Sequence, residues 1–226
     1  MKIAICSFLP EYSEIVKYGS KSRKSYCKKY NYDYIEEPFD KITIINEYIS
    51  EYDFILWMDP ESYIMNDTIT LESLIKKYFQ GDLKDVMYTS GNKRGIFFIR
   101  NTEFVREYFK KLNKGELTEE IDPFENKVII VHDQKEFNSC WNNYSWGDFI
   151  IHFKDCPVDS LKRMMNMFCP LKMENDSDDT FKFRINWLTS RAESDLYRFR
   201  GKGSLPLFQS IQPEYLLVDI MMLIIP

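Results

Sequence analysis

Glycine is scarce in this chain, with eight in 226 residues. No G-x-G-x-x-G or Walker pattern occurs, which excludes phosphate recognition by a glycine-rich loop. Histidine is scarcer still, at two, too few for a zinc cluster. The five cysteines (Cys6, Cys27, Cys140, Cys156, Cys169) form no C-x-x-C and are odd in number. That usage fits free thiols in a reducing compartment rather than a disulfide framework. There is no excess of basic charge either: the net charge of −5 and a pI near 5.3 argue against nucleic acid as a partner. Long apolar runs are missing as well. The opening M-K-I-A-I is too short for a signal sequence and is followed closely by Pro10 and Glu11. Residues 216–225 are apolar but interrupted by Asp219, and too short to span a bilayer. With no transmembrane segment, a cytoplasmic location is expected. The apolar terminus packs on the sheet, pairs two copies as a homodimer, or marks a chain cut from something longer.

Aromatic residues are plentiful (Phe 17, Tyr 15, Trp 4), and supply core material for one α/β domain. The chain is organised around Y-D-F-I-L-W-M-D-P-E-S-Y-I-M-N, residues 52–66. Phe54 to Met58 is an unbroken apolar run, the pattern of a strand covered on both faces. It ends at Asp59-Pro60-Glu61. Proline disfavours the helical region for the residue before it, so the chain is expected to leave the strand extended. Asp59 and Glu61 would then point the same way at the carboxyl end of a buried strand, where open α/β sheets bind ligands. Two hard oxygen donors there suit Mg²⁺ or Mn²⁺, and such an ion suits a diphosphate. Locally the same residues also read as a solvated Asp-Pro turn closing a core strand.

Strands are expected at residues 2–8, 33–36, 54–58, 86–89, 96–100, 127–131 (a buried one) and 147–153, with helices at 11–30, 41–51, 71–79 and 102–112. Asn101 is expected to cap the last of these helices, and Asp133 to stand at the N-cap of another. The β-α-β-α-β opening implies parallel strands with right-handed crossovers. A Met-rich helix over 158–168, an acidic loop over 174–179 and a charged helical stretch over 181–199 follow. Residues 1–170 are expected to form the body of one domain, with 171–226 as a C-terminal helical extension.

Three further features bear on chemistry. Lys17, Lys21, Lys24 and Lys28 share one helix face, either a solvated face or a field for a phosphorylated ligand. His152, in an apolar strand, is either a core imidazole satisfied by backbone or a ligand. Joined to Asp59 and Glu61 it would favour Mn²⁺ over Mg²⁺, because imidazole nitrogen suits the softer ion. Asp133-Gln134 is either a helix start or a carboxylate and amide aimed at a reacting sugar from a strand end.

W-M-D-P-E-S-Y-I-M-N resembles the W-M-D-x-D-A segment of the Mn²⁺-dependent galactosyl- and xylosyltransferases. That family includes the fungal galactomannan galactosyltransferases and plant xyloglucan xylosyltransferases. C-K-K-Y-N-Y-D-Y, Lys41, G-I-F-F-I-R-N, Asp133-Gln134 and G-D-F-I-I-H-F-K-D-C are similar, in order, to other stretches of the same family. The likeness covers about residues 1–160 and extends to compact viral glycosyltransferase domains acting on capsid glycans.

The resemblance implies a GT-A fold: a Rossmann-like nucleotide-binding half (residues 1–90) and a sugar and acceptor half (residues 91–170), with a mixed central sheet flanked by helices. It implies a nucleotide-sugar donor, usually a UDP-hexose or UDP-pentose, a glycan or glycoprotein acceptor, and retention of anomeric configuration. Asp59, Glu61 and His152 take the places of the metal ligands, in a D-x-D-type motif. Asp133 and Gln134 take those of the catalytic sugar contacts. Ser7, Phe8, Arg23 and Lys41, with Asp59, fall beside the nucleotide. Glu61 replaces the second aspartate, Asp155 a glycine, and Pro157 a phosphate-contacting lysine, leaving Lys154 or Lys162 for that role. The family's membrane anchor and stem are not seen. The alternative is a sugar-nucleotide-binding module with little or no turnover.

Overall fold

The structure, a computed structural model, describes residues 1–9, 13–79, 84–89, 95–117, 127–133, 136–141, 144–145, 147–154 and 156, together with Leu161 and Met165. All belong to a compact unit spanning Met1–Asn186. In chain order the elements are β1 (Ile3–Phe8), α1 (Ser13–Tyr30), β2 (Asp33–Glu37), α2 (Lys41–Tyr48), β3 (Phe54–Met58), β4 (Ser62–Ile64), α3 (Leu71–Tyr78), β5 (Val86–Thr89), β6 (Ile96–Arg100), α4 (Glu103–Asn113), β7 (Val128–Val131), β8 (Ser139–Cys140) and β9 (Ile150–His152). Six strands form one sheet in the order β2-β1-β3-β6-β5-β7, and β4-β9-β8 form a second.

The large sheet is mixed, as expected. β1 pairs parallel with β2 and β3, β6 runs antiparallel to both β3 and β5, and β7 is parallel to β5. Its residues alternate between two apolar layers, because successive strand side chains point to opposite faces. Ile3, Ile5, Phe54, Leu56, Met58, Met87 and Phe98 pack with Tyr26 and Cys27 of α1 and Leu71, Leu74 and Ile75 of α3. Ala4, Cys6, Ile55, Trp57, Tyr88, Phe97 and Ile99 pack with Ile44 and Ile45 of α2 and Val105, Phe109 and Leu112 of α4. β3 is buried along its whole length, as its unbroken apolar run implies.

Local chemistry sets the boundaries. Asn31 takes a left-handed φ of 58° and the Tyr32 N–H bonds the Cys27 carbonyl at 3.0 Å, which closes α1. Asp40 caps α2 by accepting from Ile42 N and Thr43 N at 2.9 and 3.1 Å. The helix expected to Glu51 tightens into a 3₁₀ turn over Ile49–Glu51.

Three expectations need correction. Thr102, not Asn101, caps α4, its hydroxyl accepting from Val105 N at 3.3 Å. Asn101 instead donates its amide to the Tyr52 carbonyl at 2.8 Å, tying the helix entrance to the chain before β3. β7 is not a buried strand: it is the outermost of the sheet, and Ile130 is 44% exposed. The strand expected over 147–153 shortens to Ile150–His152 and lies in the smaller sheet, where β4 and β8 flank it. Of the helix expected over 158–168, Leu161 and Met165 are described, both helical. The acidic loop, the charged stretch and the apolar terminus lie outside the described residues. Among the described residues, no helix is long and apolar enough to cross a membrane.

Candidate functional site

The chain does not leave β3 extended. Ser62 N donates to the Asp59 carbonyl at 3.1 Å, closing a turn over residues 59–62 with Pro60 at its second position. An Asp-Pro turn therefore closes the strand, but its carboxylates are only part-exposed and converge rather than facing solvent. Asp59 continues the face of Trp57, whose indole N–H donates to Asp59 Oδ1 at 2.8 Å and fixes that carboxylate. Glu61 reaches the same place from the far side of the turn.

The third member arrives through the small sheet. Ser62 opens β4 immediately after the turn, and β4 pairs antiparallel with β9 so that Ser62 stands opposite His152. The Phe153 N–H reaches back to the Glu61 carbonyl at 3.0 Å. Pairing thus sets an imidazole distant in sequence against the acidic turn. His152 Nε2 lies 3.8 Å from Asp59 Oδ2 and 3.7 Å from Glu61 Oε1, with the imidazole fully buried and the carboxylates part-exposed at 28% and 33%. Asp148 steadies the loop that leads into β9, accepting from Ser139 Oγ at 2.6 Å and Ser145 N at 2.8 Å.

Two glycines make room for this arrangement. Gly95 donates no side chain opposite Asp59, whose N–H bonds the Gly95 carbonyl at 2.8 Å. A Cβ at Gly95 would stand 2.1 Å from His152 Cε1 and 2.7 Å from Asp59 Oδ2. On the other side, a Cβ at Gly19 of α1 would stand 2.6 Å from the Ser62 carbonyl and 2.8 Å from that of Pro60. The close approach of the helix backbone to the turn depends on that missing atom. Gly19 carried no signal in the sequence, since a glycine inside a helix usually marks only lower propensity.

Burial, and then the neighbouring Glu61, push the Asp59 carboxyl above its ordinary value, against the bond from Trp57. Burial acts on Glu61 in the same sense, but the imidazole of His152 beside it outweighs that, and its carboxyl lies below the ordinary value. One carboxylate is held charged while its neighbour resists sharing the space, the condition a bound cation relieves.

The donor set fits a divalent ion. Two carboxylate oxygens and one imidazole nitrogen lie within 4.8 Å of one another. Hard oxygens with one borderline nitrogen match the chemistry of a divalent ion, and the space that Gly95 leaves is filled by the His152 ring.

The remaining sequence candidates are placed as follows. Lys41, at the start of α2, lies with its ammonium 5.9 Å from the Phe97 ring centroid, and its charge favours ionised Asp59. Ser7 is fully buried near the end of β1, on the face covered by α1, and its hydroxyl has no partner. Phe8 packs against the opposite layer. Arg23, expected beside a nucleotide, has no exposed surface and is committed to protein groups beneath the acidic turn. Asp133 is exposed past the end of β7, its carbonyl accepting from Glu136 N at 3.4 Å. Gln134, Asp155, Pro157 and Lys162 lie outside the described residues.

A mixed six-stranded sheet between helical layers, with an acidic turn at the end of a central strand, defines an α/β protein of the GT-A type. Its likeness to solved glycosyltransferases is of the same kind. A glycosyltransferase involved in glycosylation of the major capsid of PBCV-1 matches with a TM-score of 0.60 at 15% identity, over 74% of this chain and 100% of that one. The glycosyltransferase GlyE of Streptococcus pneumoniae TIGR4 matches at 0.45 and 14% identity, over 84% and 64%. A Drosophila beta-1,4-galactosyltransferase 7 in complex with manganese, UDP-Gal and xylobiose matches at 0.38 and 13%, over 68% and 71%. At 15% identity the likeness to the PBCV-1 capsid glycosyltransferase is one of fold. No protein-family model and no curated protein matches the sequence.

Proposed function

We propose that this chain is a metal-dependent glycosyltransferase that moves a sugar from a nucleotide-diphosphate sugar, a UDP-hexose or UDP-pentose, to a glycan acceptor. The observation that carries this reading is the convergence of Asp59, Glu61 and His152 at the end of β3. Likeness in fold to the capsid glycosyltransferase of PBCV-1 supports it.

Asp59, Glu61 and His152 would hold Mn²⁺, which supplies Lewis-acid neutralisation of the departing diphosphate. Trp57 keeps one oxygen of Asp59 turned away from His152, leaving Oδ2 directed at the cation position. Lys41 adds a positive charge on the same side, where the diphosphate would lie. Asp133 stabilises positive charge developing at the anomeric carbon while Gln134 orients the sugar, with the anomeric configuration retained.

Asp59→Asn preserves the acceptor for the Trp57 indole and removes the charge. We expect it to abolish Mn²⁺-dependent hydrolysis and transfer of the donor sugar, followed by release of nucleoside diphosphate. Unchanged turnover would defeat the assignment. Tight binding of UDP-sugar by the wild-type chain, with no hydrolysis or transfer across an acceptor panel, would mark it as a binding module. The replacement of a phosphate-contacting lysine by Pro157 favours that second outcome.

A further inference from the structure

The side chain of Arg23 lies at the centre of a network that ends on the acidic turn. Its Nη1 donates to the Ser62 carbonyl at 3.0 Å and lies 3.4 Å from the carbonyls of Asp59 and Pro60 and from Ser62 Oγ. Its Nε donates to the Tyr34 hydroxyl at 3.0 Å, and its Nη2 lies 3.5 Å from Glu36 Oε1. Tyr34 and Ser20 complete the Glu36 carboxylate, each donating at 2.7 Å. The ion pair is deeply buried, with side-chain exposures of 0% for Arg23 and 7% for Glu36.

We propose that Arg23 is a positioning residue for the cation site: its guanidinium gathers the carbonyls of residues 59, 60 and 62 and so fixes the separation of the Asp59 and Glu61 carboxylates. The inference rests on the reading of Asp59, Glu61 and His152 as ligands.

A turn is defined by where its carbonyls point, and three here point at one planar cation. A guanidinium suits this task because its N–H groups are rigid and permanently charged. Gly19 supports it from the same helix, since the backbone there comes close enough for Arg23 to reach under the turn. Groups that orient ligands in this way commonly change metal affinity about 10- to 100-fold when removed.

The test must separate positioning from folding. Arg23→Met alone strands a buried carboxylate, so it is combined with Glu36→Gln; removing both charges of a buried pair is far milder than removing one. Mn²⁺ affinity is read from the electron paramagnetic resonance signal of free ion, and folding from the melting temperature. We expect the double variant to melt close to the wild type and to bind Mn²⁺ about tenfold or more weakly. Arg23→Lys keeps the charge, and with it the partner of Glu36, but loses the fork, so we expect intermediate affinity. Wild-type affinity in either folded variant overturns the proposal. Failure of the wild-type chain to bind Mn²⁺, or binding that survives Asp59→Asn, overturns instead the ligand reading on which it rests.

Discussion

At position 95 any side chain would enter the space of the His152 ring, since a Cβ there would lie 2.1 Å from Cε1. Gly95→Ala therefore forces either the imidazole or β6 to move. We expect a destabilisation of about 1–3 kcal/mol, the usual cost of overpacking, measured by denaturant unfolding. On the proposed reading of His152 as the nitrogen donor, we also expect weaker Mn²⁺ binding. A variant that binds the ion as the wild type does would show that His152 is not a ligand. At this scale the sequence was legible where chemistry is carried by type. A carboxylate pair after a buried strand and a lone histidine pointed to one another before any distance was known. Arg23 was legible only as a cation, because nothing in a sequence says whether a guanidinium faces a ligand or the backbone beneath it.

Elements were legible in proportion to their length. Strands of four to six residues in the large sheet and helices with an apolar face match expectation nearly to the residue, because apolar runs and apolar periodicity mark them. β4 and β8, at three and two residues, are too short to show alternation, and they exist because β9 pairs with them. The exit from β3 stayed open between a turn and an extended path, because proline before Glu61 is consistent with both. For α4 the cap falls on Thr102 rather than on the expected Asn101, whose amide is committed to the Tyr52 carbonyl. Thr102→Ala should cost about 1 kcal/mol in unfolding free energy and leave Mn²⁺ affinity unchanged. No loss of stability would show that the Thr102 bond to Val105 is not the effective cap.

Across the whole molecule, the Arg23 and Glu36 network joins α1, β2 and the turn into one unit. Burial would raise the Glu36 carboxyl, but the bonds from Ser20 and Tyr34 and the charges of Arg23 and Lys24 hold it below the ordinary value of 4.5. A carboxyl depressed by folding contributes stability that is full above its ordinary value and is lost as pH falls through the depressed one. Melting temperature should therefore be steady near neutrality and fall in acid, and Glu36→Gln should lower the plateau while flattening the acid limb. An acid limb of unaltered slope would remove Glu36 from the account.

The residues 59–62 end the last rung of one sheet and begin the first rung of the other. The two sheets are in this sense the arms of a single caliper, with Pro60 near its pivot and the cation position between its tips. Any small rotation of the lesser arm changes the span between His152 and the carboxylates. If Asp59, Glu61 and His152 hold an ion as proposed, its grip and its escape answer to the same four residues.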